Sequence, residues 1–192
     1  MGNKKRLIFN LLISAVMVFA LPIIGYSFPI AEPGTEGLPV IVSGNGPVIA
    51  TYQGNSAAYS NDLYLTLNNL FIFNNHSSPV GSTVDLGTFD LGTELIFRLH
   101  VNNTGNDFYT GLASRNPDNH FHARVQENWQ IGETLVSFED LFNGPFVYND
   151  LSFSFTNTST TPPSGVPEPT TILLLGSGMV GMVPFIRRKF KK

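Results

Sequence analysis

The side chains able to do chemistry here are mostly carboxylates. Between residues 28 and 165, thirteen Asp and Glu face only Arg98, Arg115 and Arg124, with no Lys, so this stretch carries a formal charge of −10 inside a chain of net −3. An acidic body repels phosphate backbones and has no basic patch to neutralise them, which argues against nucleic-acid binding. Divalent cations are the natural partner of such a field. Cysteine is absent, which removes disulfides, thiolate metal sites, cysteine nucleophiles and the lipid-attachment cysteine of a lipoprotein. Glu139 and Asp150 are a carboxylate pair of the kind a glycan hydrolase uses. Asp118, His120, His122 and Arg124 would share one face of a strand over 118–125. Two His at i, i+2 can chelate zinc or copper, but a third ligand is missing and Arg124 opposes a cation, so a polar, solvated strand face is expected. Trp129, the one tryptophan, could form a sugar-stacking platform with Tyr109 and Tyr148; the alternative is packing in the core or at its rim. There is no Gly-x-Ser-x-Gly, no His-Asp-Ser arrangement and no phosphate loop, so the chain is not expected to be an enzyme.

The basic residues sit at the two ends. Lys4-Lys5-Arg6 precede an apolar run from Leu7 to about Leu21, and Gly25-Tyr26-Ser27 supplies a small-x-small cleavage pattern. Residues 1–27 therefore read as a signal peptide, with Phe28 the first mature residue. A retained anchor is the alternative, opposed by the short run and by Pro22. At the other end Val166-Pro167-Glu168-Pro169 leads into seventeen mostly apolar residues, 170–186, and then Arg187, Arg188, Lys189, Lys191 and Lys192. As a helix the apolar run would rise about 25 Å, at the short end for a membrane span. The basic tail marks the cytoplasmic side, so the expected topology is an ectodomain outside, one transmembrane helix and a short tail inside.

The motif, a short Gly-containing apolar helix and an Arg-rich end, in that order, resemble the PEP-CTERM sorting domain over 166–192. The resemblance implies that Pro167, Glu168 and Pro169 are recognised by an exosortase, a membrane-embedded cysteine protease or transpeptidase. That enzyme would cut near the motif and release or re-anchor the ectodomain. The prolines suit this role, since they keep the segment extended and out of the helix. Families with this signal occur in Gram-negative bacteria that make exopolysaccharide, which becomes a candidate partner. An ordinary C-terminal anchor is the alternative.

These segments must be carried by the middle of the chain. Pro- and Gly-rich residues 28–39 read as an irregular leader, 40–156 as the folded ectodomain and 157–165 as a flexible stalk. The folded part has a period of two: Leu95, Phe97, Leu99 and Val101 alternate with Ile96, Arg98 and His100, and Leu151, Phe153 and Phe155 alternate with Ser and Thr. Further strands are expected at 48–52, 63–67, 84–89, 121–125 and 134–138, punctuated by Asn and Gly. With no amphipathic helix, the expected fold is all-β, an antiparallel, jelly-roll-like β-sandwich with a Phe-rich core.

Residues 107–155 carry a second resemblance. Phe108-Tyr109-Thr110-Gly111, Arg115-Asn116-Pro117-Asp118, His122-Ala123-Arg124-Val125 and Phe138-Glu139-Asp140-Leu141, followed by Tyr148-Asn149-Asp150, resemble an uncharacterised domain of exported and adhesin-like bacterial proteins. In that family an acidic loop follows the Phe-Glu-Asp-Leu segment and suggests calcium, since crowded carboxylates and carbonyls suit a hard cation. Glu139, Asp140, Asn149 and Asp150 match; Phe146 and Val147 replace a further Asp pair. The alternative leaves Glu139 and Asp140 solvated, with Asp150 capping the hairpin. Three functions follow as expectations: a non-catalytic structural or adhesive protein of the envelope or extracellular matrix, a calcium-assisted carbohydrate-binding module, and a glycan hydrolase.

Overall fold

In the computed structural model, which describes residues 27–163, the period-two segments form strands. The strands are β1 (Ile41–Val42), β2 (Pro47–Gly54), β3 (Asn61–Leu65), β4 (Leu70–Asn74), β5 (Thr83–Thr88) and β6 (Phe97–Val101), then β7 (Asn106–Tyr109), β8 (Ala123–Gln130), β9 (Glu133–Phe138), β10 (Leu151–Thr156) and β11 (Thr158–Ser159). One 3-10 turn, Ala113–Arg115, is the only helical element among the described residues. Residues 1–26, which hold nearly all of the expected signal peptide, and 164–192, with the sorting motif and its apolar run, lie outside the described residues.

All pairings are antiparallel. One sheet has the order β5-β2-β10-β9-β8, a second β4-β3-β6-β7, and β1 with β11 makes a two-stranded clip. The two larger sheets share one core and form a β-sandwich. Phe97 of β6 stacks on Phe155 of β10 at 4.2 Å between ring centroids, and Phe73 of β4 stacks on Phe153 at 5.9 Å. Phe97, Phe153 and Phe155 are wholly buried; each such side chain contributes about 1.5–3 kcal/mol over leaving it in water. The meander β8–β9–β10 within one sheet departs from the paired Greek keys of a jelly roll.

The alternation on β6 is as the sequence reads, Phe97, Leu99 and Val101 inward. On β10 it fails. Ser152 and Ser154 are as buried as the Phe between them, because β10 is a central strand covered on its second face too. Ser152 shares a hydrogen bond with Ser137 of β9 (2.8 Å), and Ser137 accepts the amide of Ala31 from the leader (2.9 Å). The leader has little regular structure but lies against β8: Gly37 N–H donates to the Ala123 carbonyl, and Glu36 takes the Arg124 guanidinium at 2.7 Å. The chain also stays in the fold past 156. β11 pairs with β1, and Thr160 N–H donates to Glu127 at 3.0 Å, so the first residues of the expected stalk are held to the body.

Candidate functional site

The β9–β10 hairpin has a long connection, residues 139–150, and its two feet carry the acidic residues. β9 and β10 pair from Leu151↔Phe138 onward. Beyond that pair the Asp150 amide still donates to the Phe138 carbonyl (3.1 Å), and the Asp140 amide to Asp150 Oδ2 (2.8 Å). These two bonds bring Glu139, Asp140 and Asp150 together, with one ligating oxygen of each within 4.8 Å of the others. Positive φ at Asn143, Gly144 and Tyr148 folds the loop back over the cluster. A bulky residue such as Tyr148 rarely adopts such a φ; in the same turn two successive amides, Val147 and Tyr148, donate to Glu139 Oε2 at 2.8 and 3.3 Å. Glu139 Oε1 accepts from Leu141 N–H at 3.2 Å. The carboxylate thus sits in a backbone nest.

Glu139 and Asp140 are 2% and 3% exposed, so the solvated reading of these two carboxylates is wrong. Burial pushes the Asp150 carboxyl up, to about 8; the Asp140 amide opposes this, and the charges of Asp140 and Glu139 add to it. Asp140 is also raised, by burial first, against the opposing hydrogen bond from Asn61 and with the added charge of Glu139. Both shifts express the cost of placing anions together away from water.

The fourth side chain comes from the other sheet. Asn61, the first residue of β3, is fully buried and donates Nδ2–H to Asp140 Oδ2 at 2.7 Å. Its amide N–H goes to Asn75 Oδ1 and its carbonyl accepts from Asn75 N–H. Its side-chain oxygen Oδ1 has no partner, the only such buried side-chain atom among the described residues. No sequence signal pointed to it: it lies 79 positions from Asp140, in a chain where Asn reads as turn punctuation.

Behind the cluster stands a buried, hydrogen-bonded pair. His122 Nδ1 donates to the Glu139 carbonyl and Nε2 faces Asp118 Oδ2, each at 2.9 Å; both side chains are fully buried. Asp118 Oδ2 also accepts the Asn143 amide (2.9 Å), which pins the acidic loop. Burial works to raise the Asp118 carboxyl, but the bonds from Asn143, His122 and His120 outweigh it and hold it below its usual value. The solvated strand face expected over 118–125 is therefore corrected. β8 begins only at Ala123, and Asp118 meets His122 across a turn. His122 has no free ring nitrogen for zinc or copper, and His120 stacks on Phe146 with Nδ1 at the Asp118 carbonyl.

The remaining expected residues do not converge. The Asn149 carbonyl takes the amide and hydroxyl of Ser56, which ties the end of the acidic loop to the segment after β2. Tyr148 is 4% exposed and lies under the Arg124 guanidinium, which leaves no ring face for a sugar. Trp129 stands near the far end of β8. Tyr109, on the edge strand β7, borders two open clefts of about 380 and 490 Å³, which it shares with Arg115; Asp107 and Asn116 line the larger. Arg115 reaches these clefts by crossing Gly111 (φ +85°), where a Cβ would lie 2.3 Å from its Nη1, and is held there by both oxygens of Glu94 at 2.7 and 3.0 Å. Of the expected hydrolytic pair, Glu139 is buried and both its oxygens accept backbone amides.

Comparison with known proteins identifies the C-terminal segment. Residues 165–190 match the PEP-CTERM protein-sorting motif. No curated protein and no solved structure matches the chain. The motif marks an exported protein recognised by an exosortase and anchored in the membrane at its C-terminus before processing.

Proposed function

We propose that this chain is exported through an N-terminal signal, processed at Pro167-Glu168-Pro169 and delivered to the cell envelope or extracellular matrix, where its β-sandwich has a non-catalytic structural or adhesive role. The sorting motif at 165–190 carries this reading. The sandwich supports it, since Glu139, one of the two carboxylates that could have served catalysis, is buried and bound by backbone amides. The test is a tagged full chain expressed in cells with and without an exosortase. A shorter, motif-cleaved form that depends on the exosortase and is lost in Glu168→Gln supports the proposal; a full-length membrane form in both strains refutes it.

A second reading, carbohydrate binding, is favoured by the cleft at Tyr109. An aromatic ring beside Asp107, Asn116 and the fixed Arg115 offers stacking and polar contacts together. Exopolysaccharide is the proposed ligand. Its retention of the full chain in affinity electrophoresis should be lost in Tyr109→Ala; equal retention of the variant rejects this cleft.

A further inference from the structure

We propose that Asn61, Asp140, Asp150 and Glu139 hold one calcium ion that clasps the two sheets of the sandwich together. The side chains converge from opposite layers: Asn61 opens β3 of the four-stranded sheet, while the three acids stand at the feet of the β9–β10 hairpin of the five-stranded sheet. Two independent observations point to a ligand. Three carboxyl groups have oxygens within 4.8 Å of one another in a largely buried place, where they repel when ionised and a cation between them can take the place of the protons that burial favours. The Asn61 side-chain oxygen is buried without a partner although every other polar atom of that residue is bonded. Such orphans are rare in folded proteins, and this one belongs to an amide already hydrogen-bonded to Asp140. Turning that amide over would present its oxygen to the Asp140 carboxyl, an arrangement that an intervening cation makes favourable.

The donors decide the ion. All are oxygens, which suits calcium or magnesium rather than zinc or copper, and the one nearby histidine has both ring nitrogens engaged. Magnesium needs near-ideal octahedral geometry, whereas calcium accepts irregular sets of six to eight oxygens. Glu139 and Asp150 are tied by hydrogen bonds from backbone amides, so they cannot rearrange freely. An ion placed among them is too buried to bridge to a sugar. Its role is to join the layers, and it acts on any Tyr109 cleft only through the rigidity of the fold.

The test uses the full chain in detergent, stripped with chelator and titrated with calcium or magnesium by calorimetry and thermal unfolding. One calcium per chain should bind, with a saturable rise in Tm of several degrees at a hundredfold excess over Kd, and magnesium should bind at least tenfold more weakly. Asn61→Ala should weaken calcium at least tenfold, and Asp140→Asn at least as much. No heat and no Tm shift overturn the site. Unchanged affinity in Asn61→Ala overturns the clasp, and magnesium binding as tight as calcium overturns the choice of ion. Should Asn61→Ala fail to fold, terbium luminescence of the wild-type chain, sensitised by Tyr148 and displaced by calcium, decides the matter; absence of the signal refutes the site.

Discussion

Replacing Asp118 by Ala should destabilise the protein more than any exposed substitution, although Asp118 lies outside the acidic cluster. The carboxylate accepts three bonds: His122 Nε2 and the Asn143 amide, each at 2.9 Å, and the His120 amide at 3.2 Å. With both side chains of the His122 pair fully buried, removing one partner strands the other. Breaking a buried pair in this way costs about 3–5 kcal/mol. Counting bond by bond gives a similar figure, about 1.5–3 kcal/mol for the charge-assisted bond and about 1 for each amide bond. Asp118→Asn keeps the volume and one good acceptor and should cost about 2 kcal/mol. The pH dependence follows from the lowered carboxyl of Asp118. Its stabilisation is complete above the unfolded value of about 3.9 and disappears as pH falls through the lower folded value. The assay is urea unfolding of the full chain, followed by Trp129 fluorescence, at pH 7 and at pH 3. A loss below 1 kcal/mol in Asp118→Ala at pH 7, or a loss equally large at pH 3, would refute this account.

Two further outcomes follow from the packing. Phe155→Ala removes one half of the 4.2 Å stack that joins the layers and should cost about 3–5 kcal/mol, against about 1 for Phe155→Leu; equal melting of the two variants in calorimetry would deny that the ring bridges the sheets. The Glu127 carboxyl is held low by hydrogen bonds from the Thr160 hydroxyl and amide, so its contribution is present above about pH 4.3 and fades as pH falls through its folded value. Glu127→Gln should therefore loosen residues 158–160 at pH 7 and make little difference at pH 3, read as hydrogen exchange of the Thr160 amide.

The legible parts of the fold are those where one physical cause dominates. β2, β6 and β9 show plain alternation or dense apolar content, and strands lie where 48–52, 95–101 and 134–138 suggest. β4 reads poorly because it carries a bulge at Ile72, opposite the step from Leu63 to Tyr64, which breaks its period and leaves Ile72 and Phe73 buried side by side. β7, Asn-Asp-Phe-Tyr, is a polar edge strand with one inward residue, Phe108. The leader was legible as irregular but not as the cover that buries Ser137 and Ser152. At the acidic site Glu139, Asp140 and Asp150 could be found because they are close in sequence. Asn61 could not, since only the packing of one sheet on the other brings it there.

The clip between β1 and β11 has a mechanical meaning for a body held at its C-terminus. Tension in the chain beyond residue 163 reaches Thr160 and β11 first, where a two-residue pairing with β1 and the Glu127 bonds resist it. These short attachments open one after another, and unravelling residues 157–163 pays out about 20–25 Å of chain. The load then falls on β10, bonded along both edges to β2 and β9, which must be sheared along its length rather than peeled. Its C-terminal connection therefore works as a two-stage coupling, a soft extension that absorbs small pulls followed by a stiff stop at the centre of the larger sheet.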